Sequence, residues 1–368
     1  MATRIRFAHH HRLVLIGISF ILFILVLYRN YEPKAQPCLP TTFKHWDKPS
    51  FDAILDDNEQ TLNDGTVLHH RQMAKANPDV LILALSRDVH SWSSNYLSIR
   101  RRTVYDFLDM IMATDIDLSR VSLALMTASR DEFDTAKKAI ASVPFARVAL
   151  LYRESDGKSS SKIPYEDRHR PEVQRKRRNL IASARNYLMA RSLQDETHVI
   201  WVDADIVKLS KGIVQTMIGH GESREDVGII TSICKQTLER NYDKNAWALN
   251  REVPMLMGPV RDEDLEIAAD KLVETRTYVD ELIKGTSNDD IIQLDSVGGT
   301  LLYMKASLIR QGINFPTSYV VGSTWSHEGW VGIETEGLCY LAHHLDGSKC
   351  FVLGGSHYVK HADRSGKD

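Results

Sequence analysis

The sequence predicts an α/β domain built on a doubly wound, mainly parallel sheet of nucleotide-binding type, preceded by one membrane-spanning helix. Three observations carry this expectation. Apolar runs of strand length, too continuous for a sheet with one wet face, alternate with segments of helical period. An uncharged apolar run stands near the N-terminus. Two acidic residues end one of the buried runs, at the strand end where open α/β sheets take their ligands.

The N-terminal run, Leu13 to Tyr28, reads LVLIGISFILFILVLY. It holds no charge and no proline, and as a helix it is about 24 Å long. That length is short for a plasma membrane and sufficient for a thinner secretory-pathway bilayer. Arg4, Arg6 and Arg12 precede it, while Arg29 and Lys34 follow closely. The bias assigns residues 1–12 to the cytosol, 13–28 to the membrane and the body to the lumen. A cleaved signal peptide has the same order, but RNYEPKAQP after Tyr28 lacks a small-x-small cleavage pattern. Residues 29–77, with prolines, charges and few periodic apolar positions, read as a stem that spaces the domain at 78–368 from the membrane.

Within that domain, Val80 to Leu85 (VLILAL), Val121 to Met126 (VSLALM), Val148 to Tyr152 (VALLY) and His198 to Val202 (HVIWV) are the buried-strand candidates. Between the first two, Tyr96, Ile99, Val104, Phe107, Leu108 and Ile111 recur at helical spacing, and a second, short helix is expected to start near Asp131. A polar, serine-rich stretch, Glu154 to Ile163, reads as a mobile loop over or beside the site. From Pro171 a long helix begins that carries Arg175, Lys176, Arg177, Arg178, Arg185 and Arg191. No G-x-G-x-x-G fingerprint follows the first strand, which argues against a dinucleotide site.

Composition bounds the rest. A 368-residue chain that is 43% hydrophobic can bury a full core, and disorder as the main theme is excluded. A formal net charge of -2 gives no global attraction to nucleic acid or anionic lipid. Cys38, Cys234, Cys339 and Cys350 are too few and too scattered for a disulfide scaffold or a zinc site with close ligand pairs. In a lumenal domain the nearest pair, Cys339 with Cys350, is the first bridge to test.

The chemistry concentrates in VIWVDADIV, where a buried strand ends in Asp203-Ala204-Asp205. Two carboxylates so placed suit a hard cation such as Mn²⁺ or Mg²⁺ that bridges protein to a diphosphate. Solvated carboxylates at a polar strand end are the plain alternative. A haloacid-dehalogenase-like phosphatase also ends an apolar strand in D-x-D-x-T/V, with the first Asp as nucleophile, and Asp289 and Asp290 mimic its later acidic pair. Three strand candidates precede the motif here, which speaks against it. Arg177, Arg178 and Arg185 supply guanidinium forks suited to phosphate oxygens, and Arg185 with Asn186 lies amid Leu180, Ile181, Tyr187 and Leu188, nearer the buried side. A solvated helix face explains Arg175, Lys176 and Arg191 better.

Farther on, Asp295-Ser296-Val297-Gly298-Gly299-Thr300 precedes LLYM; paired glycines permit close backbone approach to a sugar, and the Asp accepts from sugar hydroxyls, unless this is a plain turn. Glu334 and Glu336 sit in Glu334-Thr335-Glu336-Gly337, where acidic groups also favour a helix dipole. His357 and His361 each offer an imidazole to a metal, against the ordinary structural role of a lone histidine.

Taken together, RRNLIASARNYLMARSL, VIWVDADIV, LDSVGGTLLYMKA, INFP, GIETEGLCYLA and HYVKH resemble the fungal Golgi α-1,6-mannosyltransferases that form mannan polymerase complexes, over roughly Pro78 to Ala362. The resemblance implies a GT-A fold, GDP-mannose as donor, Mn²⁺ as cofactor, retention of configuration, mannan or N-glycan acceptors and related subunits as partners. It also implies a single-pass type II Golgi membrane protein with a lumenal catalytic domain. By position it implies that Asp203 and Asp205 hold the metal with His361 as third ligand. Arg177, Arg185 and Asn186 would face the nucleotide, and Asp295 and Glu334 the acceptor or donor sugar. Two segments depart from the pattern: Thr317 to Gly332 is longer than expected, and Lys244 to Pro259 shows little likeness; both are read as lining the acceptor side. A scaffold subunit that keeps the fold without turnover is the non-enzymatic alternative.

Overall fold

The computed structural model describes residues 53–93, 101–154, 171–250, 260–323, 325–326 and 328–362. The expected membrane helix at 13–28 and the first part of the stem lie outside them, as do Tyr96, Ile99 and the loop beyond Glu154. Among the described residues no helix is long and apolar enough to cross a membrane.

The chain enters through a hairpin of β1 (Ile54–Thr61) and β2 (Val67–Met73). Next come β3 (Val80–Ser86), α1 (Val104–Met112), β4 (Val121–Thr127), α2 (Arg130–Ile140) and β5 (Arg147–Tyr152). The long helix α3 (Pro171–Ser192) leads into β6 (His198–Val202). Then follow β7 (Ile206–Leu209), α4 (Ile213–Ser223), β8 (Val227–Thr231), β9 (Cys234–Lys235) and β10 (Trp247–Leu249). The chain continues through α5 (Leu265–Glu274), β11 (Arg276–Tyr278), α6 (Val279–Leu282), β12 (Ile291–Leu294), β13 (Leu301–Lys305) and α7 (Ala306–Arg310). It closes with α8 (Leu338–Ala342), β14 (Lys349–Leu353) and β15 (Val359–His361).

The central sheet has 10 strands in the order β1-β2-β5-β4-β3-β6-β13-β8-β14-β12. Its middle, β5-β4-β3-β6, is parallel throughout, as the four apolar runs predict. These strands are buried on both faces by helices, with Leu81, Leu83, Ala124, Leu151, Val199 and Trp201 in one core. The whole sheet is mixed rather than mainly parallel. After the glycine turn β13 enters beside the C-terminal end of β6 without a crossover helix, so it runs antiparallel to both β6 and β8. The hairpin and β12 add further antiparallel pairs. Residues 54–73, expected in the stem, thus belong to the sheet, because β2 pairs along β5 from Val67↔Tyr152 to Gln72↔Arg147.

Local chemistry fixes the helix starts. Thr103 and Asp106 form a capping box at α1. Helix α2 starts at Arg130 on the Ser129 cap, with Asp131 in its first turn rather than at its start. Cys339 of α8 and Cys350 of β14 are bonded as a disulfide, the pairing nearest in sequence, and Cys234 is a buried free thiol.

Candidate active site at the end of strand β6

Register decides what meets what. Strand β6 lies parallel to β3, with Leu83 opposite Trp201, so Asp203 emerges at the C-terminal edge of the parallel block. The Asp203 amide donates to Thr300 O at 3.1 Å and the Ile206 amide returns to Asp203 O at 3.1 Å, which makes Asp203-Ala204-Asp205 a tight turn between β6 and β7. A small sheet, β7-β15-β9, then carries the C-terminal strand back along the turn, with His361 paired to Ile206. Residues about 155 positions apart in sequence are joined by this one register.

His361 Nε2 lies 2.9 Å from Asp205 Oδ2. Its Nδ1 is 2.6 Å from the Ala362 carbonyl and 3.0 Å from Gln236 Nε2, so both ring nitrogens are engaged and Nε2 faces the carboxylate. The Tyr242 ring stacks on the imidazole at 4.2 Å between centroids. Burial alone lowers the pKa of His361, but the hydrogen bond and charge of Asp205 reverse this and leave it above the usual imidazole value. His357 is buried apart, with its pKa lowered by burial and beside the Asn288 loop, so of the two histidines His361 joins the site.

Arg185 reaches the same turn from α3. Its Nη2 donates to Asp203 Oδ1 at 2.7 Å and to Gly299 O at 3.3 Å, and its Nε is 3.2 Å from Glu334 Oε1. The guanidinium is held over Trp201 and Phe315 at 5.2 and 5.1 Å, and it is buried as its apolar sequence neighbours predict. Burial raises the Asp203 carboxyl, Arg185 opposes this, and the neighbouring charges of Asp205, Glu334 and Asp243 raise it further, to about 7. Glu334 has φ 63, a left-handed conformation rare for a side chain of this size. Its amide donates to Pro316 O at 2.8 Å, which holds the strained residue in place.

One turn-pair earlier on α3, Arg178 Nη1 donates to Glu336 Oε2 at 3.0 Å, and Arg276 Nη2 donates to Glu336 Oε1 at 2.8 Å. Arg178 also bonds Asn245, and Arg276 lies 4.5 Å over Trp247. Glu336 is therefore buried between two guanidinium groups, which is what makes its charge tolerable there. Arg177 is exposed on the side of Tyr242, whose phenol feels its charge together with that of Asp205.

Several of the expected site residues bond within the protein. The amide of Asn186 is engaged at both ends: Nδ2 donates to Phe315 O at 2.7 Å and Oδ1 accepts from Phe315 N at 2.8 Å. Asp295 accepts from the Leu249 amide at 2.8 Å and so fixes β10. The paired glycines serve the protein's own side chains. A Cβ on Gly298 would lie 2.2 Å from Asp243 Oδ2, and one on Gly299 would lie 2.9 Å from Arg185 Nη2. Asp243 takes the Gly299 amide at 2.9 Å beneath that turn. Sequence reading missed Asp243, Asn245 and Arg276, since nothing local marks their distant partners; Glu336 was signalled only as one of the two acids in Glu334-Thr335-Glu336-Gly337. Asp289 and Asp290 precede β12, four strands from β6 and hence about 19 Å away at about 4.8 Å per strand. Asp290 caps the Ser287 amide at 2.6 Å instead. Asp289 and Asp290 therefore do not stand beside Asp203 as a phosphatase's later acidic pair.

Among the described residues no three His, Cys, Asp or Glu side chains already surround one point as a metal's ligands. The donor types nevertheless fit a hard divalent cation. Asp203 and Asp205 keep 38% and 37% side-chain exposure, enough for an incoming ion, and an imidazole held at both ring nitrogens stands against one of them.

The profile of the Anp1 family matches residues 60–319. The chain belongs to the Anp1 family. It is 28% identical over 313 residues to "Mannan polymerase complex subunit mnn9" of Schizosaccharomyces pombe, a match that covers 83% of this chain and 85% of that one. It is 29% identical over 209 residues to "Mannan polymerase complex subunit MNN9" of Candida albicans, covering 55% of this chain and 54% of the relative. With "Mannan polymerase I complex VAN1 subunit" of Saccharomyces cerevisiae the identity is 30% over 162 residues, 41% of this chain and 29% of that one. Among solved structures it is similar to the mannosyltransferase PcManGT from Pyrobaculum calidifontis in complex with GDP-Man and Mn²⁺, at 11% identity and a TM-score of 0.42, over 80% of this chain and 59% of that one.

Proposed function

We propose that this chain is a GT-A-type mannosyltransferase that moves mannose from GDP-mannose to a mannan or N-glycan acceptor, with retention and most readily in α-1,6 linkage. It works beside related subunits at the Golgi membrane with its body in the lumen. The observation that carries the reading is the turn after β6, where Asp203 and Asp205 project beside His361 on one side and Arg185 on the other. These are the groups that a cation-bound diphosphate requires, placed at the ligand end of the sheet.

Asp203, Asp205 and His361 would hold the cation, Mn²⁺ by preference. Once bound, it supplies Lewis acidity to the departing diphosphate. Arg177 and Arg178 border the same face and offset charge on the nucleotide. In the transfer the bond from the sugar's anomeric carbon to the phosphate oxygen breaks and the electron pair leaves with GDP. The acceptor hydroxyl bonds to that carbon, and its proton passes to the leaving diphosphate, so no dedicated base is assigned. Arg185 is a positioning residue that holds Asp203 and Glu334 against each other.

A donor screen on the purified full-length chain, with and without Mn²⁺, tests this directly. Transfer from GDP-mannose that needs Mn²⁺ and vanishes in Asp205→Asn, with the circular dichroism spectrum unchanged, is expected. Wild-type turnover in a folded Asp205→Asn protein refutes the assignment. Protease added to intact vesicles should spare the body; digestion before detergent reverses the orientation. The second reading, a scaffold subunit, is favoured by relatives named as complex subunits. Equal mannose incorporation by complexes carrying unaltered chain or Asp203→Ala plus Asp205→Ala would establish it.

A further inference from the structure

We infer that Arg102 is the positioning residue that holds the Asp203–Asp205 turn in its metal-binding shape and couples it to the turn that follows β3. The inference rests on the metal site proposed above. Arg102 precedes α1 and is 7% exposed, an expensive place for a guanidinium unless its donors are used. Its Nη2 donates to Ile206 O at 2.9 Å, and its Nη1 donates to Trp92 O at 3.0 Å and makes a long contact with Ala204 O at 3.5 Å. Ala204 and Ile206 flank Asp205, so the fork grips the backbone on both sides of that carboxylate.

The anchor behind Arg102 is held by two helices. The Trp92 indole donates to Glu132 Oε2 of α2 at 2.5 Å, and its ring packs on Phe107 of α1 with centroids 5.5 Å apart. Residues 89–92 directly follow β3, on the ligand edge of the sheet and next to β6 in strand order. One side chain thus ties the turn after β3 to the metal turn.

The choice of acceptor matters. Arg185 pairs with the Asp203 carboxylate itself, whereas the fork of Arg102 binds main-chain carbonyls. It stiffens the turn and places a positive charge behind two like-charged carboxylates, and it leaves the Asp205 oxygens to His361 and a cation. A lysine at this position keeps the charge but has no planar fork to span Trp92 and Ile206, so charge and geometry can be told apart.

The test is Mn²⁺ affinity of the full-length chain, read as the free-ion signal in electron paramagnetic resonance, for wild type, Arg102→Lys, Arg102→Ala and Asp205→Asn. Loss of an outer positioning partner of this kind weakens metal binding by about 10–100-fold. Arg102→Lys is expected to fall at least about tenfold with unchanged circular dichroism. Arg102→Ala should recover on addition of guanidinium ion but not of ammonium at the same concentration. Should these variants not fold, Trp92→Phe loosens the anchor while Arg102 stays in place. A several-fold loss of Mn²⁺ affinity there upholds the inference, and unchanged affinity overturns it. Arg102→Lys that binds Mn²⁺ as tightly as wild type, while Asp205→Asn does not, overturns the role of Arg102 and leaves the metal site standing. Equal binding by wild type and Asp205→Asn removes the metal site itself, and this inference with it.

Discussion

Replacing Arg185 with methionine should unfold the balance of charge around Asp203 in a way that a second substitution repairs. Arg185 lies between two carboxylates, 2.7 Å from Asp203 and 3.2 Å from Glu334. Their exposures differ, at 38% for the Asp203 side chain and 9% for that of Glu334. Asp203 can recover hydration when its partner goes, whereas the buried Glu334 keeps only the Thr335 hydroxyl at 3.4 Å and the charge of Arg178, which already pairs with Glu336. Removal of one member of a buried pair costs about 3–5 kcal/mol, and most of that penalty falls on Glu334. Arg185→Met together with Glu334→Gln removes both charges, so the double variant should be about 1–3 kcal/mol more stable than the sum of the single effects predicts. Urea unfolding of the metal-free chain at about pH 8 is the assay, since Asp203, raised to about 7, is then ionised. A loss below about 1 kcal/mol for Arg185→Met, or additivity within about 0.5 kcal/mol, refutes the account of Arg185 as the shared counter-charge.

Three further outcomes are expected. Asn186→Ala should cost about 2 kcal/mol of stability through the two lost bonds to Phe315 while leaving the KM for the sugar nucleotide unchanged; a raised KM at unchanged stability would restore the ligand-binding role that its sequence position suggested. Mn²⁺ binding should release protons below neutrality, because Asp203 is raised to about 7 and His361 lies above its usual value, and both must deprotonate to coordinate. Affinity should therefore climb as pH rises through about 7 and then level off. In the metal-free chain the Asp203 contribution to stability is fullest below the ordinary carboxyl value and is lost as pH rises to about 7; calorimetry in buffers of different ionisation enthalpy that shows no proton release at about pH 6 contradicts both. Cys339→Ala plus Cys350→Ala opens a loop of sequence separation 11 and should cost about 3 kcal/mol in the chain-entropy account, measured as a lowered unfolding midpoint; an unchanged midpoint denies the bridge a stabilising role.

How much of this was legible depends on how far the determining partner lies along the chain. The four parallel strands could be read because burial on both faces writes an unbroken apolar run into each, and Asp203 and Asp205 followed from the end of one such run. The hairpin at 54–73 could not, since β1 is an exposed edge strand, ILDDNEQT, with acidic residues where alternation would show. The antiparallel entry of β13 is set by the turn before it, and no local period distinguishes it from a parallel strand. Asn186 sat beside Arg185 in an arginine-rich helix and looked like part of one ligand-facing surface. Only the position of Phe315, 129 residues away, shows that the two side chains do different work. Glu336 needed Arg178 and Arg276 to be meaningful, and those lie 158 and 60 residues from it.

The polar network also bears on whether the chain turns over substrate or holds a fold for others. Buried ion pairs seldom stabilise a protein more than apolar side chains of the same volume, because desolvation of both charges offsets their attraction. Glu334 adds a left-handed backbone that costs on the order of 1–3 kcal/mol. The Arg185–Glu334 pair and the Arg178–Glu336–Arg276 group are thus poor devices for stability, yet they converge on one face, beside two half-exposed carboxylates and an oriented imidazole. A scaffold is served by their replacement with leucine or methionine. Under the proposed transfer such a group has a use, because charge fixed in advance around a departing diphosphate stabilises it as it develops.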